Sequence, residues 1–232
     1  MSIKEYYGKK GEYISTHKKY FSRKQLLIDI NFIEKYLKLK KKDKILDLCC
    51  GNGRHAIELA KRGYIVHGLD FSTYLLKIAK EESKKENVKI DFFKQDIHKM
   101  NLKNKYNKIF LFFSEFGLFD TEKVLKNIYK SLENDGLFML DYDNIFRLIR
   151  KMQDIKDFEY TFDFVNQQLV EKKGKQKVNY YTPKELKQMF NMAGFKVVSF
   201  LGDYNGDRIT EKSKRIIIIG RKTGCDTKEV GT

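Results

Sequence analysis

The 232-residue chain has one proline, no tryptophan and three cysteines. With Pro183 alone there is no proline-rich linker and no polyproline segment. Cys49 and Cys50 are adjacent and Cys225 lies in a polar tail. Adjacent thiols rarely bridge and an odd total suits no disulfide framework, so reduced thiols are expected. Four histidines (His17, His55, His67 and His98) are scattered without the paired spacing of a zinc site, and no metal is expected. No stretch approaches the roughly 20 apolar residues of a membrane span. The opening MSIKEYYGKKGEY lacks the apolar centre of a signal peptide, so a cytoplasmic location is expected.

Acidic residues are also in short supply. Lys and Arg number 47 against 31 Asp and Glu, a formal charge of +16. Such an excess is the footprint of phosphate binding. Arginine, the better residue for bidentate phosphate contacts, is scarce: Arg23, Arg54, Arg62, Arg147, Arg150, Arg208, Arg215 and Arg221. Lysine is spread over every polar stretch, and only Lys38 to Lys42 resembles a cluster. A generally lysine-rich composition, from an A/T-biased genome or a hot habitat, stands beside RNA or another acidic partner as the explanation. Hydrophobic residues at 41% and aromatics at 14% mark a folding chain.

Strand and helix patterns alternate, which argues for an α/β sheet. Leu26, Leu27, Ile30, Ile33 and Leu37 have helical spacing between Arg23 and Leu37. A short strand, Lys44 to Leu48, then runs into a CCGNG turn and a helix from Arg54 to Arg62, stopped by Gly63. Further strands are expected at Tyr64–Asp70, Lys89–Phe93, Lys108–Phe113 and Leu137–Asp141, the last entered through Asp135-Gly136. Ser72 can cap the helix that follows the second strand, and another helix begins near Asp120. Thr182-Pro183-Lys184-Glu185 forms a complete helix start, with a cap, a first-position proline and a capping-box acid. Lys196–Phe200 and Arg215–Gly220 complete seven strands, and the four consecutive isoleucines of the last must be buried on both faces. The expected fold is a doubly wound, Rossmann-like, seven-stranded and mostly parallel sheet with the last strand antiparallel and helices on both faces. Residues 1–221 form one domain, with 1–22 as a lid segment and 145–181 as a reduced cover containing short strands at Phe158–Phe164 and Gln167–Val170. Residues 222–232 read as a tail.

The segment LDLCCGNGRHAIELA carries the chemistry. Gly51-Asn52-Gly53-Arg54-His55-Ala56 satisfies G-x-G-x-x-G/A between a strand and a helix, and Asp70 follows at the end of the second strand. In a dinucleotide fold the glycines permit close approach and the acid takes ribose hydroxyls. The motif alone is shared by NAD, FAD and other adenosine ligands. Asp47 separates them, because a carboxylate beside the glycine turn repels a pyrophosphate but stabilises a cation. S-adenosylmethionine has no phosphate and brings a sulfonium and an α-ammonium. A purely structural reading, in which Asp47 caps the turn and the glycines fit a tight connection, also remains open here.

From Arg23 to Arg221 the chain resembles the class I S-adenosylmethionine-dependent methyltransferases of small-molecule type. LDLCCGNGRHAIELAKRGY is similar to their first motif, and VHGLDFS to the second, whose acid binds both ribose hydroxyls. FFKQDIHKM resembles the adenine-recognising segment, FFSEFGLF the fourth-strand motif, and GLFMLDYDN with YYTPKELKQMFNMAGFKVVSF the closing units. The resemblance implies S-adenosylmethionine as cofactor, S-adenosylhomocysteine as product, and contacts from Asp47, Cys49, Gly51, Gly53, Asp70, Phe71, Asp96, Ile97, Phe113 and Ser114. It implies Asp96 on the adenine amine with Ile97 beside the ring. Two departures are visible: the 145–181 insertion is short for the family, and Glu115 stands where a small residue is usual.

Methyl transfer from a sulfonium is a direct displacement, so alignment and exclusion of water are the protein's main contribution. Glu115 is the first catalytic candidate, as a base or as a holder of a cationic acceptor, and Tyr142 the second. Asp143 and Tyr181 follow; Tyr7, Tyr13 and Tyr20 are candidates for the lid, although ordinary packing is the favoured reading for most of them. Arg54 and His55 either orient the methionyl carboxylate at a helix N-terminus or face solvent. Transfer to N or O of a small molecule leads. An RNA methyltransferase, a non-catalytic cofactor-binding protein and, most remotely, an NAD-linked oxidoreductase are the alternatives. Monomer and dimer are both compatible with the sequence.

Overall fold

The computed structural model describes residues 3–8, 11, 13–17, 22–113, 116–154, 160–171 and 177–224. Two short helices, α1 (Ile3–Tyr6) and α2 (Tyr13–His17), precede α3 (Arg23–Leu37). The alternating unit follows as β1 (Lys44–Leu48), α4 (Arg54–Lys61), β2 (Ile65–Asp70), α5 (Thr73–Lys85), β3 (Asp91–Lys94), β4 (Tyr106–Leu111), α6 (Thr121–Ser131) and β5 (Leu132–Asp143). Then come α7 (Ile145–Asp154), β6 (Tyr160–Asp163), β7 (Gln168–Glu171), β8 (Lys177–Asn179), α8 (Pro183–Met192), β9 (Phe195–Leu201) and β10 (Arg215–Lys222). Turns of 3₁₀ helix cover Ile97–Lys99 and Phe116–Leu118.

The main sheet runs β3-β2-β1-β4-β5-β10-β9. β10 is antiparallel to both neighbours, and β1 through β5 pair in parallel. The expected seven-stranded, doubly wound sheet with a reversed last strand is the one observed. Burial on both faces explains the apolar runs. Ile216 and Ile218 of β10 join one core, with Leu46, Leu48, Ile109 and Leu111, while Ile217 and Ile219 join the other, with Ile45 and Phe110. A strand sandwiched this way has no polar face to present, hence four isoleucines in a row.

Local signals set the helix ends. Ser22, Ser72 and Asp120 each accept a hydrogen bond from a first-turn backbone N–H, and Thr182 and Glu185 form the reciprocal capping box. Because β1 pairs with β2 on one side and β4 on the other, the loops after β1 and β4 leave from a topological switch point. Ligands of open α/β sheets bind outside the carboxyl ends of the strands at such a point.

Several boundaries differ from expectation. β5 starts at Leu132 and runs through Asp135, whose φ of 61° is absorbed within the strand where the ladder with β4 shifts register. The stretch 145–181 is a helix plus a three-stranded antiparallel sheet, β6-β7-β8, rather than two loose strands. Residues 222–224 are not loose, because Lys222 ends β10 and donates to the carbonyls of Tyr129 and Leu132, and the Tyr129 hydroxyl donates to the Thr223 carbonyl. No helix among the described residues is long and apolar enough to cross a membrane.

Candidate active site

β1 ends in a turn that no ordinary residue enjoys. Cys49, Gly51 and Gly53 all have positive φ, at 53°, 55° and 76°. At Gly53 a Cβ would meet the Ala79 methyl at 2.9 Å and the Phe92 ring at 3.2 Å, so glycine is required by both conformation and space. At Gly51 a Cβ would find its nearest neighbour, the Tyr13 hydroxyl, only at 3.7 Å. That glycine is required by its conformation, with Tyr13 and Leu75 at van der Waals distance above it.

Asp70, at the end of β2, holds this turn. Its carboxylate accepts the Gly51 N–H at 2.9 Å and the Ser72 N–H at 2.8 Å. Burial raises its pKa, and the N–H groups of Ser72, Gly51 and Phe71 oppose that rise. Each oxygen keeps a lone pair for a ligand hydroxyl. Asp47 is more exposed to cost. It is 2% accessible, and no described residue hydrogen-bonds its Oδ2 atom. Burial lifts its pKa well above the carboxylate range, against the Arg54 charge and the Ala56 N–H. A buried oxygen without a donor costs about 1–3 kcal/mol. An ammonium arriving from outside would supply the missing donor and charge.

On β2's other side Asp96 caps the Ile97–Lys99 turn, and Ile97 is 4% accessible. Phe71 follows Asp70 and meets the Tyr7 ring edge-on at 5.5 Å. Tyr7 also accepts from the Ser72 hydroxyl through its carbonyl, and Tyr6, Tyr7 and Tyr13 pack together above Gly51 and Phe71. Tyr20 lies outside the described residues.

Past β4, Phe113 has φ 52° and donates its N–H to Asp141 at 3.1 Å. Ser114 and Glu115 lie outside the described residues. Phe113 is clamped by Arg54 and His55, and by Arg215, which the sequence did not advertise. His55 stacks on it with a 7° interplanar angle, and the Arg54 and Arg215 guanidinium carbons stand 4.9 and 5.7 Å from its centroid. Fully buried Asp29 accepts from Arg54 and His55, each at 3.1 Å, so these two residues face inward rather than toward solvent. Burial and Arg54 lower the His55 pKa to about 4 despite Asp29, so the ring is neutral and its contact is a hydrogen bond rather than an ion pair. Fully buried Asp141 accepts from Arg215 Nε at 2.7 Å and from the Tyr204 hydroxyl at 2.9 Å, and Arg215 also pairs with Asp143. Burial works against the Arg215 charge, but the two acids outweigh it.

Tyr142 does not fit the acid–base role considered for it. It is 2% accessible, its hydroxyl donates to the Asn179 carbonyl, and burial pushes its pKa far up. It ties β5 to the inserted sheet instead. Gly117 closes the same junction, since a Cβ there would lie 1.8 Å from the Asn179 oxygen.

Seven of the expected cofactor residues, Asp47, Cys49, Gly51, Gly53, Asp70, Phe71 and Asp96, thus gather at one edge of the sheet, with Ile97 and Phe113 flanking them. A positive-φ glycine turn held by the Asp70 carboxylate, with the buried Asp47 beside it, lies at the carboxyl ends of the strands of an α/β protein. Residues 45–136 match the methyltransferase domain family. A carboxy-S-adenosyl-L-methionine synthase of Nautilia profundicola is 28% identical over 194 residues, covering 80% of this chain and 82% of its own. The crystal structure of an S-adenosylmethionine-dependent methyltransferase from Clostridium acetobutylicum superposes with a TM-score of 0.72 at 18% identity, covering 92% and 97% of the two chains. The 1,6-didemethyltoxoflavin-N1-methyltransferase of Burkholderia thailandensis, solved with its acceptor and S-adenosylhomocysteine, superposes at 0.65 with 13% identity over 92% and 84%. The chain is a class I S-adenosylmethionine-dependent methyltransferase, and S-adenosylmethionine is its cofactor.

Proposed function

We propose that this enzyme moves the methyl group by direct displacement to a nitrogen or oxygen of a small molecule. The observation that carries the reading is Asp47, a buried carboxylate with an unsatisfied oxygen beside a glycine turn of positive φ. S-adenosylmethionine brings an already activated methyl group when bound. Asp70 takes the ribose hydroxyls, and Asp96 accepts from the adenine amine, with Ile97 and Phe71 beside the rings. Asp47 balances the α-ammonium, and the backbone of Cys49, Gly51 and Gly53 lets the methionyl part lie close. Phe113 and Ser114 flank the transferred group, and Glu115 holds or deprotonates the acceptor. Tyr7 and Tyr13, within the lid of residues 1–22, exclude water above the turn.

Two features favour a small acceptor over RNA. The inserted sheet β6-β7-β8 packs on the Phe116–Leu118 turn that follows the β4 loop, which covers the acceptor side. One group of basic residues lies elsewhere. Lys108 is half-buried and its pKa is lowered first by burial, then by Lys40, Arg221 and Lys38, at the amino ends of the parallel strands. A small heterocycle acceptor in a neighbour of the same fold agrees with this reading.

The test is calorimetric titration with S-adenosylmethionine, S-adenosylhomocysteine and NAD, repeated on Asp70→Ala. Micromolar binding of both adenosyl ligands and none of NAD is expected, weakened about 100-fold or more in the variant by loss of two bonds to a charged group. Unchanged binding in Asp70→Ala would refute the ribose role. An acceptor screen on the loaded enzyme then decides N against O.

A further inference from the structure

We infer that His98 is the positioning residue of the adenine subsite, an inference that rests on the proposed pairing of Asp96 with the adenine amine. Asp96 is not oriented by its own backbone alone. Its Oδ1 accepts the His98 backbone N–H at 2.9 Å and faces His98 Nδ1 at 2.7 Å. The opposite ring nitrogen, Nε2, faces the backbone N–H of Asp120 at 3.1 Å. An amide N–H can only donate, so Nε2 is the acceptor and the ring proton sits on Nδ1, pointing at Asp96.

The tautomer therefore follows from the α6 cap, and the tautomer fixes the carboxylate. With Oδ1 engaged twice, Oδ2 is the oxygen left for the amine of a purine. Burial disfavours the Asp96 charge, but the His98 N–H and ring, with Lys99, outweigh it and keep the carboxyl below its ordinary range. An ionised acid accepts and cannot donate, which suits an amino group and rejects a carbonyl oxygen at the same place.

The turn and the ring are both held in place. Asn127 on α6 donates to the carbonyls of Ile97 and His98, both at 3.1 Å. Phe119 meets the imidazole edge-on at 5.5 Å. Asp120 N–H completes the set. His98 thereby fastens the adenine turn to the start of α6, the helix that follows the β4 loop.

The test is a cycle of variants and ligands. Wild type, His98→Ala, His98→Gln and Asp96→Asn are titrated with S-adenosylhomocysteine and with its purine-riboside counterpart, which lacks the 6-amino group. His98→Ala should weaken S-adenosylhomocysteine about tenfold, the size of one charge-assisted hydrogen bond, and change the deamino ligand by less than about twofold. His98→Gln, which keeps one donor and one acceptor, should restore most of the loss. If His98→Ala does not fold, His98→Leu fills the space without either group and carries the same comparison. Equal weakening of both ligands, or of neither, overturns the role of His98. If Asp96→Asn itself fails to discriminate the ligands, the adenine assignment falls, whereas discrimination there without discrimination at His98 sinks this inference alone.

Discussion

Replacing Asp47 by asparagine should make the free enzyme more stable and nearly abolish its affinity for cofactor. The carboxylate is 2% accessible, has an oxygen that no described residue satisfies, and has its pKa raised well above the usual range by burial. A group whose folded pKa exceeds its unfolded one binds more protons when folded. Its destabilising contribution is therefore absent below the unfolded pKa, grows as pH rises toward the folded pKa, and is complete above it. Asparagine removes the charge but keeps one orphaned polar atom, so the gain is about 1–2 kcal/mol rather than the several kcal/mol that burying an ion costs. For a chain of this size that raises Tm by roughly 2–8 °C. In the complex the sign reverses. Losing one partner of a buried charge pair costs about 2–4 kcal/mol, so S-adenosylhomocysteine should bind roughly 30- to 1000-fold more weakly. Because the ligand prefers the ionised acid, wild-type affinity should climb with pH until Asp47 is ionised in the free protein, and the variant should lose that slope. The assay is thermal melting with and without S-adenosylhomocysteine at several pH values, alongside calorimetry. A variant that melts lower than wild type at pH 7, or binds with the same Kd, would refute the assignment of Asp47 as the cation's partner.

Two further outcomes test the supports of the site. Gly117→Ala drives a methyl into the Asn179 backbone, which cannot rotate away; overpacking of about 1–3 kcal/mol is expected. Hydrogen exchange should speed up in β6–β8 while the Kd for S-adenosylhomocysteine stays within about twofold, and a parallel loss of affinity would contradict the separation of the two regions. Arg215→Met leaves Asp141 fully buried without its cation, at a cost of about 3–5 kcal/mol. Asp141 already has a pKa raised by burial against the pull of Arg215, and losing the arginine raises it further. Protonation then relieves the defect, so in urea titrations the deficit should shrink as pH falls through that range; a loss independent of pH would sink the charge argument.

The legible part of the sequence was whatever depends on neighbours in the chain. Helix α3 and strand β1 appear with the boundaries their spacing implies, because Leu26 to Leu37 repeat at helical period and Lys44 to Leu48 run straight into a glycine turn. The capping box at Thr182 is wholly local and was readable in four residues. The clamp on Phe113 was not. Asp29 meets Arg54 across 25 positions and Asp141 meets Arg215 across 74, and no periodicity connects residues so far apart. Nor do Cys49 and Phe113 announce their positive φ, which the turn and the clamp impose against their side chains. In β5 the local Asp-Gly signal survives as the positive φ of Asp135 and a register shift against β4, after which pairing resumes at Leu137; only the strand's start at Leu132 escaped it.

That division follows the division of labour in the site. On the proposed assignment, the cofactor side is made of backbone N–H groups and short-range acids at the ends of β1, β2 and β3, where conformation is dictated by glycine and by strand register. Such a surface can be read from spacing, and it tolerates little change, since a methyl group on Gly53 would strike Ala79 and the Phe92 ring. On the same proposal, the acceptor side is assembled from the β4 loop, the inserted sheet and the aromatic N-terminal helices, held by contacts between distant residues such as Tyr142 with Asn179. Packing of that kind can be exchanged piece by piece without disturbing the glycine turn. Acceptor specificity is therefore proposed to reside in the part of the chain where local pattern says least, and variants there are predicted to alter the choice of substrate before they alter the binding of cofactor.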